Sequence, residues 1–289
     1  EYADPGAFTT DLITATKIVD VNQGFPYDLS SPDAALGSQN TIANELLGGS
    51  RRNLAERNGA IVFEFRSGTY EDVPSYWNSS LTAGPGNTVT LKPEAGSEHN
   101  GSFSGGVIFK KPGNGMNLNA AFLELNGLVI MHPDSGSMYG MPVSKNGIKI
   151  KNCLIDWNTM NRDGLTIKAG TVEHPSVVEN CLIKNDSGFT HRKAIVLLRP
   201  GTVDIVCKIK NCTLINTGNS GVIGIESGTP KVEITNCALI STQTLRGSGT
   251  QNFTGSNNIC GPNSPLPGSL QAEGQTWTFS TSATAPSTG

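Results

Sequence analysis

Between residues 147 and 240, apolar and polar residues alternate in short stretches that each end in an Asn-Cys pair. The phrase recurs as IKNCLI, VENCLI, IKNCTL and ITNCAL in residues 150–155, 178–183, 209–214 and 234–239. Its Asn residues are spaced 28, 31 and 25 residues apart. Alternation with period two indicates strands with one buried face, and a recurrence of 20–50 residues is typical of a solenoid. The pattern therefore predicts stacked coils of β-strands.

The Asn of each phrase ends an alternating strand. Asn is one of the few residues other than Gly that tolerate a left-handed backbone, and its amide can bond to equivalent residues in neighbouring coils. Gly127 takes the same place in residues 122–130, which read FLELNGLVI. Tight bends are therefore predicted at Gly127, Asn152, Asn180, Asn211 and Asn236.

Another strand follows each bend after a variable loop and closes at a Gly, in residues 165–170, 196–201 and 222–228. Three apolar pairs are predicted to point inward together: Leu165/Ile167, Val196/Leu198 and Ile223/Ile225. Each coil then contains a strand, a bend, a short strand that opens with Cys, a loop and a third strand. This predicts an all-β fold, a single-stranded parallel β-helix with strands about 4.8 Å apart along its axis. A β-sandwich with chance Asn-Cys pairs is the alternative.

The same patterning divides the chain into three parts. Residues 59–262 are predicted to form the β-helix, with about seven coils at about 25–30 residues per coil. Residues 1–58 are predicted to form an irregular N-terminal arm and, over 41–57, a short helical cap on the open end of the solenoid. Residues 263–289, rich in Ser, Thr and Pro, are predicted to form a C-terminal extension.

Composition and charge exclude several classes of partner. The chain has 21 basic and 24 acidic residues and a formal charge of −3. Because no basic stripe is present, a nucleic-acid partner is not expected. No run of about 18 apolar residues exists, so no membrane-spanning segment is expected. The chain begins at Glu1 instead of Met, which is compatible with removal of a leader or an upstream segment.

Four of the six cysteines take equivalent places in successive coils, where Cys behaves as a small buried apolar residue. We expect free thiols, because inward side chains that stack in parallel do not aim sulfur at sulfur. No C-x-x-C spacing indicates zinc, and we predict neither a metal nor a cofactor. The cysteines are Cys153, Cys181, Cys207, Cys212, Cys237 and Cys260.

One cluster of charged residues could carry catalysis on the outer face. It comprises Lys168, Arg199 and Glu226 at strand ends, with Asp156, Asp163, His191, Arg192 and Lys193 in adjoining loops. A polysaccharide lyase needs a base and Ca²⁺-binding carboxylates, and a hydrolase needs paired carboxylates about 5–10 Å apart. The interpretation that we prefer is a solvated face with an Arg199–Glu226 ion pair, worth ~0–1 kcal/mol. We therefore predict no catalytic residues.

Two further sets of side chains are candidate binding groups. The histidines, His99, His132, His174 and His191, are scattered among loops and are interpreted as surface residues. The aromatic residues that could serve as sugar platforms in loops are Tyr70, Tyr76, Trp77, Tyr139 and Trp157. The large insertions predicted at residues 70–87 and 132–144 are where binding chemistry is expected.

Residues 88–101 read TVTLKPEAGSEHNG. This phrase resembles the opening of a family of right-handed β-helix proteins found in tailed-phage genomes, as do the FLELNGLVI coil, the Asn-Cys coils and Asn257-Asn258. The resemblance spans about residues 60–262. It implies a right-handed parallel β-helix with a structural role on the head or tail surface, and it supplies no catalytic residues.

These observations together predict a non-enzymatic structural protein of a virion, most simply a capsid decoration or cement protein that forms a homotrimer. Its partners would be the major capsid protein or other virion proteins. One alternative is a tail-spike or secreted polysaccharide lyase or glycoside hydrolase that acts on the outer face. The other is a carbohydrate-binding adhesin, with a surface glycan as its partner.

Overall fold

A computed structural model of the chain describes residues 14–19, 60–71, 76–77, 83–110, 116–132, 140–157, 164–185, 196–198, 205–217, 221–225, 230–241, 245–247 and 252–260. Within these residues every helix or strand assigned is a β-strand. The first eight are β1 (Thr14–Val19), β2 (Ala60–Phe65), β3 (Gly68–Tyr70), β4 (Tyr76–Trp77), β5 (Val89–Pro93), β6 (Val107–Lys110), β7 (Asn117–Leu118) and β8 (Leu123–Asn126). The next eight are β9 (Val129–Met131), β10 (Met141–Val143), β11 (Lys149–Lys151), β12 (Leu154–Asp156), β13 (Leu165–Ile167), β14 (Ser176–Glu179), β15 (Leu182–Asn185) and β16 (Val196–Leu198). The last eight are β17 (Val206–Lys210), β18 (Thr213–Asn216), β19 (Ile223–Ile225), β20 (Lys231–Thr235), β21 (Ala238–Ser241), β22 (Leu245–Gly247), β23 (Asn252–Ser256) and β24 (Ile259–Cys260).

The strands form three parallel sheets that surround one interior. Sheet 1 has nine strands in the order β1-β2-β5-β8-β11-β14-β17-β20-β23. Sheet 2 has eight, β3-β6-β9-β12-β15-β18-β21-β24, and sheet 3 has seven, β4-β7-β10-β13-β16-β19-β22. From β2 onward, three successive strands contribute one strand to each sheet, which defines one coil. This confirms the predicted all-β parallel β-helix, for which the sequence indicated about seven coils.

Sheet 1 passes to sheet 2 through the predicted left-handed bends. Asn152, Asn180, Asn211 and Asn236 have φ values of 52°, 53°, 53° and 55°, and Gly127 has a φ of 72°. The amide of Asn180 donates from Nδ2 to Asn152 Oδ1 at 3.2 Å, and that of Asn236 donates to Asn211 Oδ1 at 3.1 Å. The prediction of bends joined by side-chain amides between coils is confirmed.

The core consists of rows of apolar side chains, one from each coil. All three predicted inward pairs of sheet 3 are buried and lie in register. Sheet 1 contributes Ile150, Val178, Ile209 and Ile234, which are also buried and in register. Full burial of such a side chain contributes about 1.5–3 kcal/mol. The rows therefore fix the register of each coil on the next.

A row of buried thiols runs beside the bends. All six cysteines are free, as predicted. Cys181 donates from Sγ to Ile150 O in the preceding coil at 3.5 Å. Cys212 bonds to the neighbouring Cys181 thiol, and this bond together with burial raises the pKa of Cys212 to about 12. The Cys212 thiol is therefore protonated and unreactive at neutral pH.

Asn258 occupies the place of Cys in the last coil. It is 1% exposed, it donates from Nδ2 to Ile234 O at 2.8 Å, and it accepts from Cys237 N–H at 2.9 Å. The amide thus replaces a thiol bond with a stronger one at the end of the row. This gives a structural reason for the Asn257-Asn258 pair.

The N-terminal arm contains a strand that the sequence did not predict. β1 adds to sheet 1 beside β2, with Thr14 opposite Ala60 and Val19 opposite Phe65. Its sequence, TATKIV, does not alternate between apolar and polar residues, so the pairing is visible only in the fold. The helical cap predicted over 41–57 and the extension 263–289 lie outside the described residues.

Candidate functional site

The connection between β5 and β6 is much longer than the equivalent bends. β11 leads to β12 through two residues, whereas residues 94–106 separate β5 from β6. We call residues 94–106 the bend loop. Both of its ends are bonded to the first coil, since Glu94 N–H donates to Phe65 O at 2.8 Å and Gly68 N–H donates to Gly106 O at 3.1 Å.

His99 connects the bend loop to a later coil. Its Nε2 lies 2.8 Å from Asn152 O, and Gly101 N–H donates to its Nδ1 at 3.3 Å. A carbonyl oxygen only accepts, and Nδ1 is itself an acceptor here, so the proton of the imidazole is on Nε2. The two residues are 53 positions apart in the chain. The bend loop is therefore folded back over the row of bends.

The bend loop requires a glycine at position 106, where the chain turns towards β6. Gly106 has a φ of +81°, and a Cβ at this residue would lie 2.6 Å from His99 N and 2.8 Å from His99 Cα. Gly96 also has a left-handed backbone, with a φ of +87°, but a Cβ there would meet nothing within 4 Å. Close backbone approach, and not only left-handed conformation, therefore selects Gly at position 106.

The far side of the bend loop reaches sheet 2. Lys184 places Nζ 5.0 Å from the centre of the Phe103 ring, a cation–π contact, and 3.3 Å from Asp156 Oδ2. Asp156 is 7% exposed, so this ion pair is well shielded from solvent. The loop therefore contacts coils well beyond the one from which it begins.

A groove of about 600 Å³ lies between the bend loop and sheet 1. Its lining includes Pro93 and Gly127, the one bend residue of the predicted set that has no side chain. Its walls are polar and include Glu64, Lys92, Glu98, His99, Asn126 and Asn152. The volume lies in the range of small-molecule sites, about 300–1,000 Å³. This groove is the candidate functional site.

Charges at the groove are matched in pairs. Lys92 Nζ lies 2.9 Å from Glu64 Oε1, and Arg66 Nε lies 2.9 Å from Glu94 Oε2. Glu98 accepts from Gly96 N–H at 2.8 Å. The three carboxylates and two cations give a formal charge of −1 for this set. Its polar groups are thus held in position without a strong net field.

Similar pairs continue along the outer face of sheet 1. Glu233 lies 2.8 Å from Lys210 Nζ and 3.3 Å from Lys208 Nζ. The hydrogen bond from Lys210 lowers the pKa of Glu233 below its ordinary value. Such half-exposed pairs contribute ~0–1 kcal/mol each. The outer face of sheet 1 is therefore solvated, and its charges are paired with one another.

The charged cluster predicted on sheet 3 is described in part only. Lys168 is half-buried at the end of β13, and Asp156 is buried beside Lys184 on sheet 2. The other members and the proposed ion pair lie outside the described residues, namely Asp163, His191, Arg192, Lys193, Arg199 and Glu226. The structure therefore assigns Asp156 a structural ion pair.

Two aromatic residues predicted as exposed platforms are buried, so that prediction is wrong for them. Tyr70 is 1% exposed, donates from its hydroxyl to Arg66 O at 2.9 Å, and packs against Phe109. Trp157 is 1% exposed and belongs to the core. Trp157 directly follows β12, and its side chain points into the core. The sequence pattern placed it in a loop and therefore did not predict its burial. The side chains of Tyr76, Trp77 and Tyr139 lie outside the described residues.

The positions of the described histidines also differ from the surface positions predicted for them. His132 is 3% exposed, and its ring centre lies 6.5 Å from that of Trp157, so a surface position is wrong for it. His174 is half-buried and meets Phe122 edge to face at 5.1 Å. His99 is half-buried and serves the bend loop. His191 lies outside the described residues.

The described part of the chain contains neither a cluster of metal ligands nor a membrane-spanning helix. Its residues contain no group of three or more His, Cys, Asp or Glu side chains arranged to hold a metal ion. None of its elements is a helix of the length and apolarity that a bilayer crossing requires.

The fold defines a class, the parallel β-helix proteins. Among solved structures, the chain is similar to the pectin methylesterase from Aspergillus niger, with a TM-score of 0.52 and 14% sequence identity. The match covers 89% of this chain and 78% of the esterase chain. At this identity the likeness concerns the fold alone. No family model and no curated protein matches the sequence.

Proposed function

We propose that the chain is a non-enzymatic structural protein of a tailed-phage virion, with decoration of the capsid surface as its role. The observation that carries this proposal is the structural role of residues 88–101, whose sequence resembles the opening of the phage β-helix family. Most of its second half belongs to the bend loop, in which Glu98 stabilises the turn and His99 fastens the loop to Asn152. The residues that carry the resemblance therefore reinforce the solenoid, which is the property that a virion surface component needs.

In this proposal the chain is a homotrimer that is located in the virion and binds the major capsid protein. Two features support it. The matched charges on sheet 1 keep its face hydrated and disfavour non-specific association. The sequences of residues 1–58 and 263–289 supply long polar segments of the kind that wrap neighbouring subunits when they fold on binding.

The test is sedimentation velocity of the purified chain followed by cosedimentation with undecorated phage heads. We expect a trimer that pellets with heads and that an excess of unlabelled protein displaces. Heads that already carry their decoration protein are the control and should take up little. A monomer that stays in the supernatant with both kinds of head would contradict the proposal.

A carbohydrate-active enzyme is the second candidate, favoured by the fold likeness to a pectin methylesterase. It would use Lys168, Arg199, Glu226 and Asp163 on the outer face. Arg199→Ala should then abolish release of methanol or of reducing ends from pectin, while Lys231→Ala, an exposed cation on sheet 1, should leave it intact. Absence of turnover by the unaltered chain on pectin and other polysaccharides would remove this candidate.

A further inference from the structure

The groove beneath the bend loop has polar walls that are fixed before any ligand arrives. Lys92 is held by Glu64 at 2.9 Å, and Asn152 donates from Nδ2 to Asn126 Oδ1 at 2.7 Å. Glu98 is held by the N–H of Gly96 at 2.8 Å. Side chains on an ordinary surface lose rotamer freedom when they bind a ligand. Here most of that loss has occurred during folding.

The chemistry of these walls fits a ligand that both donates and accepts hydrogen bonds. A carboxylate offers about four lone-pair sites, so Glu98 retains acceptor capacity beyond its bond to Gly96. The ammonium of Lys92 has three donors, of which Glu64 takes one or two. Hydroxyl groups can meet both kinds of side chain at once. An anion would meet three carboxylates, and a cation would meet the ammonium of Lys92.

We propose that this groove binds a segment of a neutral oligosaccharide, whose hydroxyl groups contact Lys92, Glu98 and the amides of Asn126 and Asn152. Pro93 and the exposed Ala95 are the apolar residues among those that line the groove. The site lies on sheet 1 and its bends. It goes beyond the virion role and does not depend on it, because a free chain would bind the sugar as well.

Gly127 allows a substitution that fills the groove and keeps the bend. Its φ of 72° lies near the values of 52–55° at which later coils carry Asn. A Cβ at Gly127 would lie 3.2 Å from Pro93 Cδ, a contact that a small shift of the proline ring relieves. Gly127→Asn therefore places an amide in the groove. Thr254→Asn, on the exposed face of the last strand of sheet 1, is the matched control.

The experiment is ligand-observed saturation-transfer NMR with maltohexaose, cellohexaose and chitohexaose, then titration of those that bind. Hexagalacturonate and hexalysine are the acidic and cationic counterparts. We expect at least one neutral hexasaccharide to bind the unaltered chain and Thr254→Asn equally, and to bind Gly127→Asn at least tenfold more weakly. Glu98→Gln, a substitution of an exposed side chain of the bend loop that removes the carboxylate, should also weaken binding several-fold.

Three results would overturn the proposal. They are no saturation transfer to any neutral probe at millimolar concentration, tighter binding of either charged probe, and unchanged affinity in both groove variants. If Gly127→Asn fails to fold, as judged by its circular dichroism and melting, Glu98→Gln alone decides the outcome. Head cosedimentation is unaffected by any of these results, so failure of this site is distinguishable from failure of the virion role.

Discussion

The structure of the bend loop predicts different losses of stability on substitution of two glycines that have nearly the same backbone conformation. Gly96 and Gly106 have φ values of +87° and +81°, but only at Gly106 would a Cβ meet backbone atoms, at 2.6 and 2.8 Å. Left-handed strain of an Ala costs about 1–2 kcal/mol at either position. Overpacking adds about 1–3 kcal/mol at Gly106 only. Gly106→Ala should therefore be about 1–3 kcal/mol more destabilising than Gly96→Ala.

Amide hydrogen exchange measures this difference where it arises. The N–H of Gly68 donates to Gly106 O, so its protection reports on the anchored end of the bend loop. We expect Gly106→Ala to reduce that protection about five- to 140-fold more than Gly96→Ala does, since about 1.4 kcal/mol is tenfold. Each substitution also lowers the conformational entropy of the unfolded chain. This effect is the same for both and cancels in the comparison. Equal effects at the two glycines, within about 0.5 kcal/mol, would refute the close approach of the loop to His99.

Three other predictions concern the solenoid itself. Asn180→Leu should lower the free energy of unfolding by about 1–3 kcal/mol and Asn180→Gly by less, since Gly keeps the left-handed bend; calorimetry showing under about 0.5 kcal/mol for Leu would count against the amide row. Glu233→Gln should cost up to about 1 kcal/mol at pH 7, because a carboxyl whose pKa is lowered in the folded state stabilises the fold at pH values above its unfolded pKa; this cost should shrink in melts as the pH falls below the ordinary pKa of a glutamate, about 4.3, and a cost that does not shrink there would contradict the Lys210 pairing. A thiol reagent should label half-buried Cys260 first and Cys212 only on unfolding, as read by peptide mass spectrometry; early labelling of Cys212 would show that the thiol row is open.

The sequence predicted those features that repeat with a fixed local period. The Asn-Cys phrase located the bends, the free thiols and the inward rows, because each depends on residues within one strand and its equivalent in the next coil. At Asn152, Asn180, Asn211 and Asn236 the left-handed backbone is as predicted. Repetition makes one interpretation apply to every coil, and this is why the fold class follows directly from the residues.

The candidate site could not be predicted in the same way, because it depends on contacts that occur once. His99 and Asn152 are 53 residues apart, and no repeat connects them. One indication was present: Gly127 interrupts the row of Asn bends next to an unusually long connection, and both features border the groove. For Trp157 the sequence predicted an exposed loop where the structure has a buried side chain. The residues after a strand have the same composition whether their side chains turn inward or lie in an exposed loop.

Observation of the His99 imidazole in solution tests the folded-back bend loop most directly. We would record long-range ¹H–¹⁵N NMR spectra of a chain labelled with ¹⁵N at histidine, near neutral pH. The structure predicts a single Nε2–H tautomer whose proton is protected from exchange by Asn152 O and shows cross-peaks to protons of Asn152 or Cys153. An Nε2 proton lost to rapid exchange, with no cross-peaks to that coil, would contradict the closure of the loop and the groove that it forms.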